Sequence, residues 1–156
     1  MIDQEKIIEI KRTLDAAASK LDPKELKKNS VDTLNKIIIR IDDLYDMNKG
    51  EVNKFIMLLE YTVNSLHDSD FKASQKRFKQ LHSHLTKSFG VYLEGEPTTL
   101  GIGLGMAIGT GLGVALGAAV GGASTGIALG ISMGLVFGSA YGVTNEKKLK
   151  ADGKIL

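Results

Sequence analysis

The chain has 156 residues, with 20 Lys or Arg, 18 Asp or Glu and no cysteine. The missing thiol excludes disulfides, thiolate catalysis and Cys-type zinc sites. The near-balanced charge lacks the concentrated basic footprint of a nucleic-acid binder. These averages hide a division. Residues 1–96 hold 16 acidic and 16 basic residues, residues 97–145 hold none of either, and the net +2 comes from the last eleven.

Residues 1–90 read as an amphipathic four-helix bundle. The first 20 residues are charged and lack the apolar core of a secretory signal peptide, so this part is expected to stay in the cytoplasm. Ile7, Ile10, Leu14, Ala17 and Leu21 recur at 3-4 spacing. Asp22-Pro23-x-Glu25 reads as a restart, with a cap, Pro at the first helical position and Glu at the third. Ser30 is placed to cap the next helix, whose stripe is Val31, Leu34, Ile38, Ile41 and Tyr45. Lys49-Gly50 ends it. Val52, Phe55, Leu59, Val63 and Leu66 form a further stripe, widened by Ile56 and Leu58. Asp70 is placed to cap the last helix, carrying Phe71, Phe78, Leu81, Leu85 and Phe89, and Gly90 closes it as a left-handed cap.

That last helix carries Lys72, Lys76, Arg77, Lys79 and Lys87 and no acid between Phe71 and Leu93. Two readings stand: a solvated face paired with acids of other helices, or contact with anionic lipid headgroups. Its His82-x-His84 pair does not suit a metal, because helical residues two apart point in different directions and no third ligand is close in sequence. No nucleophile elbow, phosphate loop or zinc motif occurs. The chain is read as non-enzymatic, with no cofactor and no metal.

After a linker at 91–97 comes a glycine-rich segment, with 14 of the 18 glycines between Gly101 and Gly142. Gly101, Gly105, Gly109, Gly113, Gly117 and Gly121 form one period-four series. Gly122, Gly126, Gly130, Gly134, Gly138 and Gly142 form a second, displaced from the first by 21 residues. At ~1.5 Å per residue such a unit is roughly 31 Å long, close to the ~30 Å of a bilayer's hydrocarbon core. In water glycine costs a helix about 1 kcal/mol relative to alanine. In lipid the backbone must satisfy itself, and a stripe without side chains lets helices approach closely. Residues 98–143 are therefore expected to form a transmembrane helical hairpin turning at 121–125, the twelve glycines being its packing residues. A period of four drifts about 40° per step, which favours a right-handed crossing near about −40°. Gly103 and Gly111 put small residues on other faces, which favours packing between hairpins.

Lys147, Lys148, Lys150 and Lys154 follow in a basic tail, 144–156, while the turn carries no charge. The lysine bias places both termini on the cytoplasmic side of the cell membrane. Lys147, Lys148 and Lys150 join the basic residues of the fourth helix as candidate headgroup contacts.

The stretches Gly113-Val-Ala-Leu-Gly-Ala-Ala-Val-Gly121 and Gly126-Ile-Ala-Leu-Gly-Ile-Ser-Met-Gly134 resemble bacterial glycine-zipper membrane proteins. The resemblance covers a little over a quarter of the chain and concerns packing; it implies oligomeric channels or membrane-active toxins as a class. A helical domain followed by an apolar hairpin also looks like the layout of pore-forming colicins. That likeness is one of architecture only, since the chain is shorter and lacks receptor and translocation regions. The expectation is a self-associating integral membrane protein, a membrane-perturbing or pore-forming effector regulated by its helical domain, with the bilayer and its own copies as partners. The alternative is a membrane-anchored adaptor whose helical domain recruits a cytoplasmic protein. A third form is a soluble reservoir that inserts on demand.

Overall fold

Leu14, Leu34, Phe55, Leu59, Leu81 and Leu85 are wholly withdrawn from solvent and come from four stretches of sequence that each carry a helical stripe. The structure, a computed structural model, describes residues 4–21, 24, 30–67, 71–119 and 122–156. It is all-helical, with seven α-helices among the described residues. They fall into two compact units, one comprising the chain to Val91 together with Leu156, the other spanning Tyr92–Ile155.

The first unit contains α1 (Gln4–Ala18), α2 (Val31–Ile39), α3 (Ile41–Met47), α4 (Val52–Asn64), a 3-10 turn over Ser65–His67 and α5 (Phe71–Phe89). Helix α4 packs against α1 and α5, and α1 against α2. The core takes Ile7, Ile10 and Leu14 from α1 and Val52, Phe55, Ile56, Leu59 and Val63 from α4. Leu81, Leu85 and Phe89 of α5 join them, with Leu21, Tyr45, Leu58, Leu66 and Phe78 partly buried around them. Phe55 meets Phe89 edge-on, ring centroids 5.3 Å apart, an arrangement that aromatic quadrupoles favour. Thr62 and Ser65 are buried but return their hydroxyls to the carbonyls of Leu58 and Thr62, at 2.7 and 2.6 Å.

Two local expectations change. The helix predicted from Ser30 to Lys49 is interrupted at Arg40, so the described residues of this unit form five α-helices where the periodicity predicts four. Arg40 leaves helical geometry at φ −99°, ψ 15°, and its N–H is shared by the carbonyls of Lys36 and Ile37. Ile37 and Leu44 are buried together with Leu34, Ile38 and Ile41, a wider apolar set than the predicted stripe. Ser30 does not cap through its side chain; it adopts φ 56° and makes no side-chain cap bond. Gly90 takes φ +65° at the end of α5, its N–H bonded to Thr86 O at 3.0 Å. The Asp22-Pro23-x-Glu25 restart and the Asp70 cap lie outside the described residues.

The second unit is a pair of long antiparallel helices, α6 (Glu96–Ala119) and α7 (Ala123–Ala151). The reversal is tighter than the predicted 121–125: Ser124 and Thr125 already belong to α7, and the Gly122 N–H reaches back to Gly117 O at 2.9 Å. Helix α7 also runs on through Lys147, Lys148 and Lys150 of the expected tail. Beyond it, Gly153 at φ +69° lets the chain fold back, so that the Tyr92 N–H donates to Lys154 O at 2.9 Å.

Candidate functional site

The helical hairpin is packed inside out. The side chains that would make a core in water face outward: Leu104, Ile108, Leu112 and Leu116 of α6, and Leu129, Met133, Phe137 and Tyr141 of α7, are all exposed. The inner surface is glycine. An L side chain placed on Gly109 would strike the carbonyl oxygen of Gly130, and one on Gly130 would strike that of Gly109. The same exchange joins Gly101 with Gly138, Gly105 with Gly134, and Gly113 with Gly126. At each of these four rungs a Cα–H therefore points at the oxygen of its opposite number, a geometry that Cα–H···O attraction favours by ~0.5–1 kcal/mol per contact.

The rungs interleave. A Cβ on Gly101 would also lie 2.7 Å from Gly142 Cα, and one on Gly105 2.7 Å from Gly138 Cα. Gly117 closes the series against Gly126, whose Cβ would lie 2.6 Å from Gly117 Cα. Gly142 faces Gly101 on one side, and a Cβ on it would strike the backbone of Thr98; among the described residues Gly122 approaches the Thr125 side chain, at 4.0 Å. Gly121 lies outside the described residues. Close backbone contact thus runs from Gly101 to Gly117, about 24 Å of helix. A repeat longer than 3.6 residues favours a right-handed wrap, which keeps two such stripes in register over that length. Gly103 and Gly111 face open space.

Both helices are long and apolar enough to cross a membrane, and only 11% and 17% of the residues in their most apolar windows are buried. A core helix of a soluble protein would be buried over most of that length. Three hydroxyls within the apolar stretch are satisfied locally: Thr110 donates to Met106 O at 2.7 Å, Ser132 to Ala128 O at 2.8 Å and Ser139 to Val136 O at 2.9 Å. An apolar groove of about 630 Å³ runs along one side, with a glycine floor and walls formed by the Leu104 and Met133 rows.

The open end of the hairpin is closed by Glu146, a feature the sequence reading missed. Its carboxylate accepts the Gly95 N–H at 2.8 Å and the Thr98 hydroxyl, both at the start of α6. It therefore supplies from α7 the cap that the first turn of α6 requires. Those two donors, the Thr98 hydroxyl foremost, hold the Glu146 carboxyl below its ordinary value of 4.5. Glu96 accepts the Leu93 N–H at 3.1 Å, and Lys150 pairs with Glu94 at 3.5 Å. Lys147 and Lys148 are exposed and make no ion pair among the described residues.

On α5 the basic residues separate. Lys72, Lys76, Lys79 and Lys87 are exposed. Arg77 instead stacks its guanidinium over the Tyr61 ring, 4.2 Å from the centroid. His82 stacks on Phe78, whereas His84 lies between Phe55 and Phe89, with Nε2 3.0 Å from a Glu51 carboxylate oxygen but not aligned for a hydrogen bond. The two histidines thus meet different neighbours. No family model, curated protein or solved structure matches the chain.

Proposed function

We propose that this chain is a non-enzymatic integral membrane protein, fixed in the cell membrane by a glycine-zipper hairpin, whose helical domain recruits a protein partner on the cytoplasmic side. The supporting observation is the inverted packing: glycine backbone inside, Leu, Ile, Met and Phe outside. In lipid such an exterior meets a matching solvent, and the glycine interior supplies the close contact that drives helix association there. The uncharged stretch between residues 97 and 145 and the lysines after it orient both termini toward the cytoplasm. Anchoring is favoured over pore formation because the glycine stripes are occupied within one chain and the hydroxyls of Thr110, Ser132 and Ser139 serve their own helices.

The chain has no cysteine, so single-cysteine variants test this directly. Thr125→Cys and Asp152→Cys are reacted with a membrane-impermeant maleimide in intact and inverted vesicles. Labelling from opposite sides, with resistance to carbonate extraction, is the expected result. Release by carbonate would overturn the spanning reading.

A second reading, a self-associating and membrane-perturbing assembly, is favoured by the opposite face of α6, where Gly103, Ala107, Gly111 and Ala115 are all exposed at four-residue spacing. Dye release from vesicles that Gly111→Ile abolishes would support it. Tight vesicles at every protein ratio would remove it.

A further inference from the structure

Lys72, Lys76, Lys79 and Lys87 fall at successive intervals of four, three and eight residues. In a helix of 3.6 residues per turn these offsets keep all four within about 80° of one another. The stripe lies opposite the face that buries Leu81, Leu85 and Phe89, and it spans roughly 22 Å of helix. No Asp or Glu interrupts α5. Lys76, Lys79 and Lys87 make no ion pair among the described residues, so the acids of the other helices do not neutralise them. Arg77 does not belong to the stripe; it is turned aside onto Tyr61.

We propose that this lysine stripe is a docking surface for the anionic headgroups of the membrane that the hairpin spans. Charge complementarity is the first argument: the ammonium groups of Lys76, Lys79 and Lys87, which make no ion pair among the described residues, gain most beside a surface of fixed negative charge. Proximity is the second. Only residues 90–95 separate the end of α5 from the start of α6, and six extended residues reach no more than about 21 Å. An acidic protein would have to find the stripe by diffusion, whereas the bilayer is held within that reach at all times. The inference rests on the spanning reading and adds a second, reversible contact with the same bilayer. The helical domain would lie down on anionic lipid and lift from neutral lipid.

The test uses the full chain carrying one nitroxide at Gln80→Cys, an exposed position beside the stripe. It is reconstituted in phosphatidylcholine vesicles, with and without phosphatidylglycerol, and the label's collision with a water-soluble nickel chelate is measured. Collision should fall in the anionic vesicles only. It should recover in ~1 M salt, where the Debye length is ~3 Å. Each lysine changed to Gln should lower the docked-to-undocked ratio roughly five-fold, so that K72Q/K76Q/K79Q/K87Q restores full collision. Equal collision in both vesicles, or a decrease that the quadruple variant retains, would overturn the proposal and leave an acidic protein face as the stripe's partner. Flotation of the same samples in carbonate reports the hairpin separately. Loss of flotation would sink the spanning reading, while the nickel result still decides the stripe.

Discussion

Gly109 and Gly130 each aim a Cα–H at the other's carbonyl oxygen, so neither accepts a side chain without parting α6 from α7. Gly109→Ala should therefore destabilise the hairpin by about 1–3 kcal/mol, the usual range for overpacking. Gly111→Ala, where a Cβ meets nothing within 4 Å, should stabilise it by up to about 1 kcal/mol through helix propensity. Thermal melting of the two variants in one detergent, followed by circular dichroism, checks both signs. Equal melting temperatures would mean that the rungs do not set the contact.

The Glu146 clasp should make the open end of the hairpin sensitive to acid. The folded state holds this carboxyl below 4.5 through Thr98 and Gly95. Its contribution is thus fully present above that value and is lost as pH falls through the lowered one. Amide exchange at Gly95 and Thr98 should quicken on acidification, after correction for intrinsic rates. Glu146→Gln should remove that pH dependence while leaving exchange at Gly113 unchanged.

The hydroxyls of the apolar segment should matter little. Ser132→Ala and Thr110→Val each remove a bond from a side chain to its own helix, and their cost should stay within about 0.5 kcal/mol, as for changes away from any tertiary feature. A loss of vesicle permeability in these variants would instead give the hydroxyls a conducting role.

In the helical domain, Phe55→Ala removes a wholly buried ring that touches Phe89 and should cost about 3–5 kcal/mol. Ile39→Ala, at a residue 71% exposed, should change stability by no more than about 0.5 kcal/mol. Urea unfolding of the two variants in the same detergent separates a core contact from a surface one.

The sequence carried the periodic features well, because period is what a linear string displays. The core stripes from Ile7 to Phe89 and the two glycine series are visible in it, and the lysine stripe needs only a helical wheel. Features depending on a distant partner were hidden. Nothing before Ile41 signals that the helix breaks at Arg40, since the 3-4 spacing of Leu34, Ile37, Ile38, Ile41 and Leu44 runs straight through the break. The spacing of the glycines did not say whether they meet within a chain. That Glu146 caps a helix 51 residues earlier follows only once the antiparallel register is known. With that register, a lone carboxylate at the end of an uncharged stretch, opposite Thr98, is the signal that would have found it.

The four-residue repeat has a cost in uniqueness. Sliding α6 by one full step against α7 would again bring glycine to glycine, with most rungs intact, so the two helices alone leave the alignment nearly degenerate. The connection between Ala119 and Ala123 at one end and the Glu146 clasp at the other break that degeneracy. Residues that add little contact area thereby select one ladder among several equivalent ones. Lengthening the connection by four residues while removing the clasp should produce a mixture of alignments, resolvable as several discrete disulfide pairings between cysteines placed on the outer faces.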